Sequence, residues 1–249
     1  MVVRESGKAS RSLKAFIDSF CDSLLMIEGR SKDTTTAYKS DAIQFAAVLD
    51  ELFPEEIDSV SDIGRKHMTA YAKKLNENGY AASSRSRKIK AVRSFFRWLM
   101  QDGVINEKQY DSIQSVKTPK VTIKEPRVIT VQDQSDLVEV TRLGNHSTAQ
   151  TYMRDYAIIV TFLSIGCRRA ELSNIGIDNV DLHDSSMIFV GKGGNERKIY
   201  FSEGVQAILS EYINVYRKQF GKSSESPYLF VSRESAKMSL RTINYVVDK

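Results

Sequence analysis

Apolar side chains recur at helical spacing through the first part of the chain. In "RSLKAFIDSFCDSLLMIEG", residues 11–29, Leu13, Phe16, Ile17, Phe20, Leu24 and Leu25 fall along one side of a helix. "SKDTTTAYKSDAIQFAAVLDELF" predicts a second helix, capped by Ser or Asp near Ser31–Asp33. A third is expected over about residues 64–78, between "SVSD" and the turn "ENG". The fourth, "SSRSRKIKAVRSFFRWLMQDG", closes with Gly103 just past its end. Residues 11–114 therefore predict a small helical bundle with short turns, preceded by a tail over 1–10.

"SVKTPKVTIKEPRVIT" breaks the pattern. It holds two of the chain's four prolines and no helical period, so residues 115–128 read as an exposed linker. Beyond it, a helix is expected over 131–142 and a strongly apolar one over 152–165, leading into "GCRRAELSNI". "IDNVDLHDSSMIFVGKGGNERKIYF" predicts two or three short strands with a turn at "GKGGNE". A helix near 203–218, a polar loop "GKSSESP", a short strand "YLFVS" and a last helix from Ser239 follow. Leu240, Ile243, Val246 and Val247 give that last helix an apolar side which no later segment is expected to cover. The expected fold class is mainly α with a small β element: a helical bundle, then an incomplete α+β unit over 129–249.

Length and composition allow this two-part reading. The 249 residues are 41% hydrophobic, enough for one large domain or two ordinary ones with buried cores. Cys21 and Cys167 form neither a disulfide framework nor a zinc pattern, and suit a reducing compartment. "MVVRESGKAS" lacks the apolar core of a signal peptide. The longest apolar stretch, Ala157–Gly166, is far short of the ~20 residues a membrane helix needs. A soluble, cytoplasmic protein with no membrane partner is expected.

The net charge of +5 is modest, and its distribution says more than its size. No Asp or Glu occurs between Glu77 and Asp102, while that window holds Arg85, Arg87, Lys88, Lys90, Arg93 and Arg97. At roughly 100° per residue, Lys90, Arg93 and Arg97 share one stripe, and Ile89, Val92, Phe96 and Leu99 an adjacent one. Such a stripe serves either as a solvated face or as a surface that neutralises phosphates and releases counterions. The absence of a local acid to pair with the six cations favours DNA.

Two further stretches carry candidate chemistry. Arg168 and Arg169 point about 100° apart on a helix, so they do different work. Arg168 follows the break "SIGC", with Glu171 behind it at helical spacing as a supporting residue. It either snorkels from the rim of the apolar segment or grips a phosphate or carboxylate with its planar fork. In "VGKGGNERKIYF", residues 190–201, two β-prone arms flank a Gly-rich tip that holds Lys192. GKGG lacks the spacing of a phosphate-binding P-loop, which disfavours a nucleotide-dependent enzyme.

Taken together and in this order, these pieces resemble the tyrosine recombinase family, the phage integrases with their Xer-type relatives. "RDYAIIVTFLSIGCRRAELSNIGIDNVDL" resembles the family's Arg-bearing segment, with Arg168 in the catalytic place and Arg169 in the variable one. "IFVGKGGNERKIYF" resembles its strand-turn-strand element, whose lysine matches Lys192. "TTTAYKSDAIQFAAVL", which adds Lys39 to the candidate DNA contacts, and "SSRSRKIKAVRSFFRWLMQDGVI" look like its helical core-binding domain. The resemblance implies site-specific recombination of double-stranded DNA, as in integration of a mobile element. A tyrosine attacks a phosphodiester to give a 3′-phosphotyrosyl link, arginines hold the phosphate, and a lysine protonates the leaving 5′-oxygen. It implies no metal, no cofactor, and a tetramer of the complete protein on paired sites.

The same resemblance exposes a departure. The family's second arginine stands in a His-x-x-Arg motif, and the nucleophilic tyrosine follows a later Gly-His pair. Among the three histidines, His67, His146 and His183, none has Arg three residues on. Tyr245 falls too early to match the nucleophile. The expectation is a truncated recombinase that binds DNA without cleaving it, or else a DNA-binding module or inhibitor derived from a decayed one.

Overall fold

The computed structural model describes residues 7–122, 125, 128–144, 148, 151–191, 194–222 and 224–248. It divides into two compact units, Met1–Glu125 and Pro126–Lys249.

The first unit is built from α1 (Lys8–Met26), α2 (Lys32–Leu52), α3 (Arg65–Glu77), α4 (Ala82–Gln101) and α5 (Glu107–Gln114). The apolar stripes read from the sequence meet in one core: Leu13, Phe20, Leu49, Tyr71, Phe95, Phe96 and Leu99 are all buried. Phe45 sits edge-on between Tyr71 and Phe96, with ring centroids 5.1 and 5.8 Å away, a favourable arrangement for aromatic quadrupoles. α1 starts earlier than its own pattern suggests because Asp50 of α2 receives the N–H groups of Ala9 (2.8 Å) and Ser10 (3.2 Å). A carboxylate from a neighbouring helix thus satisfies donors that a helix start leaves unpaired. The fifth helix was absent from the expected four. Asn106 caps it through the Gln109 N–H (2.9 Å), and Ile113 is its buried anchor.

The second unit places α6 (Val131–Arg142) against α7 (Tyr152–Ile165), followed by α8 (Arg169–Asn174). β1 (Val180–Asp181), β2 (Ser186–Val190) and β3 (Glu196–Tyr200) form an antiparallel sheet in the order β1-β2-β3. The register sets Met187 opposite Ile199 and Phe189 opposite Arg197. α9 (Glu203–Glu211) widens into a π-helical turn over Tyr212–Tyr216 and tightens over Arg217–Gln219, so the expected helix near 203–218 is irregular at its end. That end holds the following loop. Tyr212 donates to the Leu229 carbonyl (3.2 Å), and buried Arg217 donates to the carbonyls of Ser226 (2.8 Å), Tyr228 (2.7 Å) and Leu229 (3.1 Å).

Those bonds explain why "YLFVS" is not the strand its composition suggests. Leu229, Phe230 and Val231 are buried, yet the segment makes only an isolated bridge from Tyr228 to Gly176. Side chains occupy the carbonyls that a ladder would have used. α10 (Leu240–Asp248) starts where Ser239 accepts the Thr242 N–H (3.1 Å). Its apolar side is half covered: Ile243 and Val246 enter the core, while Leu240 and Val247 stay exposed. No helix among the described residues is long and apolar enough to cross a membrane.

Candidate functional site

α7 ends at Gly166, whose left-handed backbone (φ 66°, ψ 32°) suits a residue without Cβ. The chain then turns so that Arg168 becomes the first boundary residue of α8 (φ −76°, ψ 151°). The Arg168 backbone N–H donates to Glu171 Oε2 (2.7 Å), and its side-chain Nη1 to Glu171 Oε1 (2.9 Å). This fixes the main chain under Arg168 but not its whole side chain, which is 77% exposed. The guanidinium therefore stands outward on a buried carboxylate instead of snorkelling along apolar surface. Arg169 points elsewhere, to Asn244 of α10, as the angular argument requires.

Glu171 has a second cationic partner that was missed from sequence. Arg197 of β3 binds it bidentately, Nη1 to Oε1 at 2.8 Å and Nη2 to Oε2 at 2.7 Å. The Arg197 guanidinium also lies 5.2 Å from the Phe189 ring centroid. Hydrogen bonds from Arg197, followed by those from Arg168 and against the opposing effect of burial, hold the Glu171 carboxyl down at about 2. A signal was available. Alternation along "ERKIY" puts Arg197 on the same side as Ile199, with Glu196, Lys198 and Tyr200 exposed, so a charge on the inward face should have prompted a search for a buried acid.

Lys192 lies outside the described residues, as does His146. On either side of the lysine's position, Gly191 N–H donates to the Asn195 carbonyl (2.7 Å), and Gly194 has φ 79°. His183 is exposed in the β1–β2 turn, where its N–H donates to Asp181 (2.9 Å). Tyr245 is exposed on α10. Arg168 and Arg169 line a groove of about 510 Å³ with Leu137, Phe162, Leu163 and Val247. Cys167 lines it too, its thiol pushed up to about 12 by burial and so unreactive as a nucleophile.

In the first unit the structure brings an acid to the basic helix, which corrects the expectation of unpaired cations. Asp41 of α2 is buried and receives the Arg87 guanidinium fork and the Lys88 ammonium (2.9 Å). Lys88 also donates to Gln44 (2.7 Å). The acid was invisible because it stands on another helix, 46 residues before Arg87. Arg93 is a second correction. It leaves the outward stripe and donates to the carbonyls of Gln114 (3.0 Å) and Val116, tying α4 to the end of α5. Arg97 donates to the Tyr110 hydroxyl (3.1 Å), Arg85 to Asn76, and Lys39 pairs with Asp18 at 2.7 Å. Lys90 is exposed. Arg87, Lys90 and Arg97 are thus the α4 cations that face solvent most fully.

Comparison with known proteins matches both parts of the chain to one family. Residues 17–103 match the phage integrase N-terminal SAM-like domain, and residues 132–249 match the phage integrase family. The chain is 28% identical to the tyrosine recombinase XerC of Caldanaerobacter subterraneus subsp. tengcongensis, over 94% of this chain and 67% of that protein. It is 26% identical to the XerC of Corynebacterium efficiens, over 98% of this chain and 73% of that protein. Among solved structures it shares the fold of XerH site-specific recombinase bound to difH substrate, with TM-score 0.68 and 13% identity over 97% of this chain and 80% of that one. It also shares the fold of a lambda integrase dimer bound to a COC' core site, with TM-score 0.67 and 16% identity over 95% of this chain and 62% of that one.

Proposed function

Because the chain belongs to the tyrosine recombinase family, we propose that it serves site-specific DNA recombination, the first unit holding duplex DNA and Arg168 gripping the phosphodiester to be cut. The observation that carries this reading is the state of Arg168. Its main chain is locked by Glu171, yet most of its fork faces solvent, ready to meet phosphoryl oxygens. Preorganised cationic donors of this kind stabilise charge that builds on a phosphoryl group without reorganising during the reaction. Lys192 is assigned the proton donation to the leaving 5′-oxygen. A tyrosine oxygen takes over the phosphorus as that oxygen leaves, so the phosphodiester bond is exchanged for a phosphotyrosyl bond and can be reformed.

The 249 residues contain no His-x-x-Arg, so the functions assigned to them are DNA binding and the Arg168 and Lys192 parts of the phosphate chemistry. Self-association on paired DNA sites belongs to the same reading, supported by the shared fold of a lambda integrase tetramer bound to a Holliday junction (TM-score 0.66). The test combines a binding titration with a suicide duplex that traps covalent protein–DNA product. Salt-sensitive binding with no covalent product is expected. Absence of DNA binding at low salt would remove the reading, and a trapped covalent complex would show that one of the eleven tyrosines present is the nucleophile.

A further inference from the structure

A carboxylate offers about four acceptor positions, and those of Glu171 are all occupied. Oε1 receives Arg168 Nη1 (2.9 Å) and Arg197 Nη1 (2.8 Å). Oε2 receives the Arg168 backbone N–H (2.7 Å) and Arg197 Nη2 (2.7 Å). The two arginines therefore compete for one buried carboxylate, and they do so unequally. Arg197 takes it with both arms of its fork, while Arg168 has one side-chain bond and one main-chain bond.

We propose that Arg197 is a positioning residue for Arg168: by filling Glu171 from the β3 side, it denies Arg168 a bidentate pair and keeps that guanidinium free for phosphate. Without Arg197, the Glu171 carboxylate would have an open acceptor on each oxygen. The nearest fork able to fill them belongs to Arg168, and a closed bidentate pair there would turn donors away from solvent. The inference rests on the proposed role of Arg168 and adds the residue that sets its state. It also explains why a strand arginine is spent on the inward face of the sheet beside Phe189.

A double-mutant cycle tests it, using the full 249-residue chain and fluorescence anisotropy on a labelled mixed-sequence duplex. Arg197→Lys retains the charge but supplies a compact ammonium in place of a fork. It should weaken binding about fivefold when Arg168 is present and leave it unchanged in an Arg168→Ala background, the non-additivity expected of residues acting through one contact. Arg197→Gln should show the same coupling on top of a general loss from removing a charge, and thermal unfolding identifies which variant remains folded to carry the cycle. Equal losses with and without Arg168, or no loss from the folded Arg197 variants, would overturn the inference while leaving the function standing. Unchanged binding by Arg168→Ala alone would instead count against the Arg168 reading itself.

Discussion

Glu171 is buried against two guanidiniums, and this decides how the second unit answers acid. Its carboxyl titrates at about 2 in the folded chain, below the ~4.3 of an unfolded glutamate. A lowered folded value means stability that is fully present above the unfolded value and is lost as pH falls towards the folded one. Melting temperature should therefore drop between about pH 5 and pH 2, and Glu171→Gln should flatten that part of the profile. An unchanged acid limb in the variant would show that Glu171 does not couple to folding. At this scale the sequence displayed Arg168 and Glu171, because capping and the i to i+3 spacing are local. It did not display Arg197 as their partner, because that pairing depends on strand register.

Among the elements, α4 separates two kinds of cation that look alike in sequence. Lys90 is exposed, whereas Arg93 spends its donors on carbonyls at the end of α5. Lys90→Ala should lower the log–log salt slope of DNA binding by about 1, the share of one phosphate contact. Arg93→Ala should leave that slope nearly unchanged and cost about 1 kcal/mol of stability in urea unfolding, since it strands partly buried carbonyls. A steep loss of salt dependence on removing Arg93 would return it to the DNA-facing set. Asp41→Ala should be the most damaging change in this region. It leaves Lys88, largely buried, and Arg87 without their shared acid, at a cost of about 2–3 kcal/mol, below the full buried-pair figure because Arg87 is half exposed.

At the scale of the molecule, each unit has its own buried cluster, with Phe20, Phe45 and Phe96 in one and Ile158, Phe189 and Phe230 in the other. A fragment ending at Thr122 should accordingly retain helical circular dichroism and unfold cooperatively, while a non-cooperative melt would mean that its core needs the second unit. The sequence by itself determined most of the helices, the arms of the hairpin, the resemblance to the family and the separation of Arg168 from Arg169, since 3.6-residue and two-residue periodicity, turn glycines and short motifs are properties of neighbouring residues. Only the tertiary structure decided that Asp41 neutralises part of the basic helix, that Arg93 is a tie, that Arg217 unravels an expected strand, and that Arg197 shares Glu171 with Arg168. The physical reason is common to all four. A charged group leaving water seeks whatever partner lies nearest in space, and that partner stands 9 to 47 residues away along the chain.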